Sequence, residues 1–422
     1  MQKVLVLFPN AWDRVRFDDP RYEGQLEIIY RGDDLFHFPG TLKLITFDAL
    51  KFIDKMVAEF EGEGLAGVLS SDEYIGAIMA AAIAARLGLP ASDPAHIITA
   101  QHKYYSRLAQ QKVAPEATPP AQLIPIHGVK EEDVELDYPF FVKPCKGTFS
   151  VFADKVKDFA GLQKHLKFNI LERLALGRVA KPYNDLLRAF TDLEHDASWF
   201  CGEGLMSGDQ VTVEGFAYGG RVEVMGIVDS VMFEGTHTFE RFEYPSRLPP
   251  AVQERMRDLT RRIIEGLGVQ HGQFNVELFY DRTTDELGVI EINPRLSYQF
   301  ADLYEFIDGS NTYDVLLDLT LGRNPRYEQG TGEFSYSASF VMRTFEGKKL
   351  VSVPSQEQVD AFNARYTESS IKIYGKAGES MKSEMKALGS YRYAIVNVAA
   401  HSLLDLFAIQ QDAIETLPFV WA

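Results

Sequence analysis

The chain has 422 residues, with 43 Lys+Arg against 60 Asp+Glu and a formal charge of −17. With 46% hydrophobic and 24% charged residues, this is the composition of a well-packed globular protein of two to four domains and excludes a disordered chain. The acidic excess argues against a general binder of nucleic-acid backbone, which needs a basic footprint, but leaves room for an anionic ligand in a local basic pocket.

Residues 1–100 read as α/β. The opening MQKVLVLFPN is too short for a signal peptide, and VLVLF (4–8) is a first strand. LKLITFD (42–48) and GVLS (67–70) are further strand candidates. Leu50, Ile53, Val57 and Phe60 recur at helical spacing. Glu73 to Leu87 is an alanine-rich helix closed by Gly88, with Pro90 beyond. Its most apolar part, Gly76 to Ala85, is too short to span a membrane. This alternation implies helices around a mostly parallel sheet. The first strand runs into PNAWDR and not into a glycine-rich turn, so an NAD-dependent reading is rejected.

One helix is expected over 101–112, then an irregular stretch at Pro115, Pro119, Pro120 and Pro125. KEEDVELD (130–137) reads as a solvated face, and YPFFVKP (138–144) as a strand stopped by proline. CKGTFS (145–150) is a loop, and the spacing of Leu162, Leu166, Ile170 and Leu174 predicts helix in a small lid over 156–193. Two strands joined by AYGG fill 211–232. Val252, Met256, Leu259, Ile263 and Leu267 share one face of a helix over 251–268. Strands follow at 274–280 and 288–293, then a helix at 311–322. The alternation from Phe334 to Met342, the strand YAIVNVAA (393–400) and the helix face Leu403, Phe407, Ile414 and Leu417 suggest a separate small module. Cys145 and Cys201 are the only cysteines. They make no metal framework, and a reducing compartment, hence a cytoplasmic protein, is expected.

The sharpest feature is EINPR, Glu291 to Arg295. Residues two apart in a strand point the same way, so Glu291 and Asn293 share a face. In the preceding strand Asn275 and Glu277 also share a face, and a hairpin can bring Glu277 beside Glu291 and Asn293. Two carboxylates and an amide form a hard oxygen set suited to Mg²⁺, and Arg295 can pair with phosphate oxygens nearby. An isolated E-x-N at a sheet edge is more often a pair of solvated groups, but the apolar residues on the other side of both strands favour a site. Lys143, at the end of the FFV strand, can reach phosphates as a point charge; its plain alternative is a snorkelling surface lysine. Gly147 and its loop carry only a weak phosphate-binding signal, because the Walker A spacing is absent. His237, His271 and Cys145 have no metal-ligand spacing.

In the order of these motifs the chain resembles the ATP-grasp carboxylate–amine ligases. That superfamily includes biotin carboxylase, D-alanine–D-alanine ligase and bacterial L-amino acid ligases. The likeness covers about residues 1–325, and the C-terminal part resembles the closing domain of the biotin-carboxylase-like and dipeptide-ligase branches. It implies an α/β fold with a pre-ATP-grasp domain (1–100), an ATP-grasp domain (101–330) whose α+β lid spans about 138–202, and a closing α+β module (331–422). By this resemblance Lys103 and Lys143 contact ATP phosphates, and Gly147 and Ser150 belong to the loop that covers them. Glu203, Leu205 and Met206 form the adenine hinge, with Asp209 or Gln210 near the ribose. Glu277, Glu291 and Asn293 hold two Mg²⁺ ions, or Mn²⁺, and Arg295 joins Lys143 as a catalytic residue at the transferring phosphoryl group. Phe149 stands where the family's loop usually has a second glycine.

The implied chemistry is carboxylate attack on ATP, an acyl phosphate, and amide or peptide bond formation with release of ADP and phosphate. His237, Glu240, Arg241, Glu243 and Tyr244 are substrate candidates, with strand or loop residues as the equal alternative. Amino-acid ligation leads. A ligase using another carboxylate or a non-amine acceptor, and a catalytically weak ATP-binding regulatory protein, are the other readings. Small-molecule carboxylate and amine partners are expected, without nucleic acid or membrane, and a homodimer is a family-level expectation only.

Overall fold

The computed structural model describes residues 1–33, 46–147, 152–378 and 389–422, and only the backbone of 170–175. The chain opens with β1 (Gln2–Leu7), α1 (Ala11–Phe17) and β2 (Leu26–Arg31), followed by α2 (Ala49–Phe60), β3 (Leu65–Leu69) and α3 (Gly76–Arg86). The fully buried Val4, Leu5 and Val6 put β1 at the centre of a parallel sheet of order β2-β1-β3. Most of the LKLITFD strand candidate falls outside the described residues, and positions 46–48 are not strand. Asn10 caps α1 by accepting from the Trp12 and Asp13 amides, and Asp13 reciprocates, a capping box that fixes how the chain leaves β1.

The helix expected over 101–112 is α5 (Lys103–Val113), and a further helix, α4 (Pro94–Gln101), runs into it. His102 breaks the run with extended dihedrals (φ −83°, ψ 102°), and the Lys103 amide donates to the Cys145 carbonyl at 2.9 Å. Lys103 is thereby tied to the loop after the FFV strand.

After β4 (Ala121–Ile124), the part expected as a lid holds β5 (Phe140–Pro144), β6 (Asp154–Val156), α6 (Phe159–His165), α7 (Ile170–Phe190) and β7 (Phe200–Gly204), and the earlier strand β4 joins its sheet. Its sheet has the order β4-β7-β5-β6, so residues 121–124 pair directly with the lid strand β7. Ile124, Phe140, Val142, Leu162 and Phe200 form its apolar core.

The remaining chain runs through β8 (Asp209–Tyr218), β9 (Arg221–Met232), β10 (Phe239–Tyr244), α8 (Pro250–Gly266), β11 (His271–Asp281), β12 (Glu286–Asn293), α9 (Ala301–Asp308) and α10 (Thr312–Thr320). It ends with β13 (Tyr336–Thr344), β14 (Leu350–Ser352), α11 (Gln356–Arg365), β15 (Ser369–Ile373), β16 (Tyr391–Ala400), α12 (Leu403–Thr416) and β17 (Val420–Trp421). One sheet of order β12-β11-β8-β9-β10-β13-β16-β15 carries most of these strands. The C-terminal strands therefore extend the central sheet through the β10–β13 pairing, where the sequence suggested a separate module.

Alternation gives this sheet two apolar faces. Against one, α8 packs Met256 and Ile263 on Val213 and Val276, while α12 packs Leu406 and Ala413 on Phe340 and Val396. Against the other, α9 packs Leu303 and Tyr304 on Val228, Phe242 and Tyr244. The β8–β11–β12 end of that second face carries polar side chains instead. Among the described residues no helix is long and apolar enough to cross a membrane.

Candidate active site

The antiparallel register sets Glu277 opposite Glu291 and Asn275 opposite Asn293, so all four side chains leave one face of the β11–β12 hairpin. Asn293 Nδ2 donates to Asn275 Oδ1 at 3.0 Å and to Glu277 Oε1 at 3.3 Å. Gln210 Nε2 on β8 donates to Glu277 Oε2 at 3.0 Å. Burial, and then the facing charge of Glu291, push the Glu277 carboxyl up to about 7 against the opposing pull of Arg295. Burial acts on Glu291 in the same direction, but Lys103 and Lys143 outweigh it and hold this carboxyl below its ordinary value. No three His, Cys, Asp or Glu side chains converge as a metal cluster among the described residues. Two carboxylates plus the amide oxygen of Asn293 nevertheless fit a magnesium-type ion, which takes few protein carboxylates and completes its shell with phosphate oxygens.

Cations surround the pair. Lys103 Nζ lies 2.7 Å from Glu291 Oε1 and 3.3 Å from the Gly147 carbonyl. Burial would lower its pKa, but Glu291 more than offsets this and keeps the ammonium charged. Lys143 Nζ contacts Glu203 Oε2 at 2.8 Å, and Arg107 Nε contacts Glu203 Oε1 at 3.0 Å. Arg107 also donates to the Ile290 carbonyl at 2.7 Å, tying α5 to β12. Against burial, these two cations hold Glu203 down to about 2. Arg295 donates to Glu73 Oε1 at 2.7 Å.

The expected hinge residues separate in character. Glu203 sits inside the lid ladder, paired with Ala121 and Phe141, and turns its carboxylate inward. Leu205 is exposed. Met206 packs over Gly288, where an added Cβ would meet its sulfur at 2.7 Å. Asp209 pairs with Arg282 on an exposed rim, whereas Gln210 reaches Glu277. Gly147 meets the Lys103 ammonium through its carbonyl, and Ser150 lies outside the described residues.

The substrate candidates on and before β10 are not gathered at this cluster. Tracing the register from Glu277 through Thr212, Val228 and Ser230 to Phe242 puts Arg241 and Glu243 on the opposite face of the sheet. There Arg241 bonds Glu243 at 2.6 Å and Glu240 at 2.8 Å and lies over the Phe407 ring. Tyr244 faces the cluster side but is buried under α9, donating to Asp308 at 2.5 Å. His237 is exposed in the loop before β10. Strand periodicity identifies two faces but does not say which one looks at a distant site.

Sequence reasoning missed Lys146, Gln101, Glu73 and Arg107, and put Asn275 on the face of Glu277 without assigning it to the site. Lys146 Nζ contacts Gln101 Oε1 at 2.9 Å and the Glu73 carbonyl at 3.3 Å, above the rings of Tyr74 and Tyr183. Burial, and then Lys103, push its pKa down to about 7. Its only sequence signal is its place beside Gly147 in the CKG loop. Arg107 was legible as i+4 from Lys103 on one helix face.

Residues 136–303 match the ATP-grasp domain family. The large chain of carbamoyl phosphate synthase from Methanoculleus marisnigri is 27% identical over 165 residues, 39% of this chain but 13% of that protein. Among solved structures, the L-amino acid ligase from Bacillus licheniformis aligns with a TM-score of 0.73 at 16% identity, covering 100% of this chain and 99% of that one. The phosphoribosylglycinamide synthetase from Anaerococcus prevotii aligns at 0.68 and 14% identity over 100% of both chains. Biotin carboxylase from Campylobacter jejuni aligns at 0.65 and 13% identity, covering 100% of this chain and 92% of that one. The chain therefore has the ATP-grasp fold, with an ATP-grasp domain over residues 136–303.

Proposed function

We propose that the protein is an ATP-dependent carboxylate–amine ligase that forms an amide or peptide bond through an acyl phosphate, with an amino acid among its substrates. The observation that carries this reading is the opposed pair Glu277 and Glu291 beside Asn293, ringed by Lys103, Lys143, Lys146 and Arg295. The whole-chain likeness to an L-amino acid ligase favours the amino-acid substrate.

A carboxylate oxygen of the first substrate attacks the γ-phosphorus of ATP, and the β–γ bridging oxygen leaves with ADP. An amine nitrogen then attacks the acyl carbon, loses a proton, and expels phosphate that carries the former carboxylate oxygen. This chain's residues position groups and stabilise charge. Glu277, Glu291 and Asn293 would hold Mg²⁺, which when bound neutralises phosphate oxygens. Lys103 and Lys143 are released from Glu291 and Glu203 toward the anionic phosphates. Arg295 moves its charge from Glu73 to the transferring phosphoryl group. The lid keeps water from the acyl phosphate.

A panel of amino acids and other small carboxylates with Mg-ATP tests this, with ADP, AMP and phosphate measured separately. Substrate-dependent ADP and phosphate are expected. AMP and pyrophosphate would overturn the acyl-phosphate route, and ATP binding without turnover across the panel would favour a regulatory protein.

A further inference from the structure

A second cationic cluster lies at the far end of the central sheet. β13 and β16 pair regularly from Tyr336↔Ala400 to Met342↔Ala394, then slip so that Arg343 opposes Arg392. Without that bulge Arg392 would follow Ala394 and Val396 into the core under α12. With Tyr393 as the extra residue, Arg392 turns to the face of Val341, Ile395 and Lys372. Register pairs carry that face back through Asn397, Ser339, Phe242, Ser230, Val228 and Thr212 to Glu277. The cluster and the phosphoryl-transfer site therefore share one side of the sheet.

Aromatic walls enclose these cations. The Arg392 guanidinium lies 4.1 Å from the Tyr374 ring centroid, and Lys372 Nζ lies 5.9 Å from that of Trp12. Trp12 Nε1 donates to the Tyr374 hydroxyl at 3.1 Å, so α1 of the N-terminal domain closes over strands of the C-terminal part. Tyr298 bridges to the transfer site. Its ring is 6.2 Å from that of Trp12, and Glu73, Arg392, Tyr374 and Arg295 all act electrostatically on its hydroxyl.

Among the described residues, no ion pair joins Arg343, Lys372 or Arg392 to a carboxylate. Arg343 Nε is buried without an acceptor, although another of its nitrogens donates to Ser390 Oγ at 3.1 Å. Burial, and then Arg392, push the Arg343 guanidinium down to about 10, and burial lowers Lys372. Unpaired, half-buried like charges are costly in any protein. In a chain of net charge −17, three cations gathered without a paired carboxylate among the described residues, beside the buried and acceptor-free Arg343 Nε, point to an anion brought from outside.

We propose that Arg343, Lys372 and Arg392, walled by Trp12 and Tyr374, form a subsite for a second anionic group, carboxylate or phosphate, on a substrate whose reacting end lies at Arg295. The assignment rests on the ligase reading for that reacting end. Arg392 and Lys372 hold the distal anion, and Trp12 and Tyr374 exclude water from it. Substrates lacking that anion are selected against, because the cations would stay desolvated and unpaired.

Succinate and inorganic phosphate, titrated into the full chain by tryptophan fluorescence, test the subsite without requiring turnover. One probe should quench Trp12 saturably, and Trp12→Phe should abolish the response. Arg392→Met and Arg343→Met should each weaken binding about tenfold or more, because each removes a charge-assisted contact. Arg392→Lys should retain part of the affinity, and Arg221→Met, on a remote hairpin, should retain all of it. Response to succinate identifies a second carboxylate; response to phosphate identifies a phosphorylated substrate. An unsaturable response, or one equal in Arg392→Met and Arg221→Met, overturns the subsite. The substrate panel separates the two failures. ADP release with no saturable anion binding leaves the ligase standing and removes the subsite. Saturable binding lost in Arg392→Met, with no ADP release across the panel, supports the anion subsite and removes the ligase reading.

Discussion

Glu203 is 2% exposed and bonded to both Arg107 and Lys143. Removing its charge strands two buried cations, so Glu203→Gln should cost about 3–5 kcal/mol in urea unfolding. The pH dependence follows from its depressed pKa of about 2 against an ordinary 4.5. The stabilisation is complete above pH 4.5 and is lost as pH falls toward 2. Urea midpoints of the native chain should therefore drop through that window more steeply than those of Glu203→Gln. Glu291 carries the complementary prediction. Glu291→Ala should lower substrate-dependent ADP release about a hundredfold to a thousandfold, as loss of a group stabilising transition-state charge does. Circular dichroism should show the fold retained; global unfolding would make Glu291 structural. The E-x-N-x-R group was legible because strand alternation is local. Lys146 and Glu73 were not, since their meeting depends on how α3 and the CKG loop pack.

Among elements, β12 and the segment after β7 meet where Met206 covers Gly288. Gly288→Ala would push a methyl group into the Met206 sulfur without touching the carboxylates. It should raise the KM for ATP several-fold while leaving unfolding by urea nearly unchanged, if Met206 walls the adenine. An unchanged KM would remove Met206 from the nucleotide site. The α8 helix and the β11–β12 hairpin were readable because their apolar periods are strong. The break at His102 was not, because no glycine or proline marks it. For β10 the alternation was present in sequence, but its face depends on pairing with β9 and β13, far away in the chain.

At the scale of the molecule, Asp302 on α9 joins all three parts. It accepts from Arg16 on α1 at 3.0 Å and from Asn397 on β16 at 2.9 Å, and also bonds Ser370 on β15. Asp302→Ala should lower the urea midpoint by the equivalent of about 2–4 kcal/mol, because three buried or half-buried donors lose one acceptor. A change confined to the C-terminal strands would contradict this joining role. The continuity of the C-terminal strands with the central sheet was not legible in the sequence, because long-range strand pairing leaves no local signature. Part of the acidic excess has a local meaning: Glu73, Glu203 and Glu291 pair with Arg295, Lys143 and Lys103, the cations that the proposed function would turn toward phosphates. The central claim is that a substrate carboxylate oxygen becomes bonded to phosphorus. ¹⁸O-labelling the carboxylate of the substrate that best stimulates ADP release tests it most directly. The released phosphate should carry one ¹⁸O atom per turnover, and phosphate free of label would contradict the account.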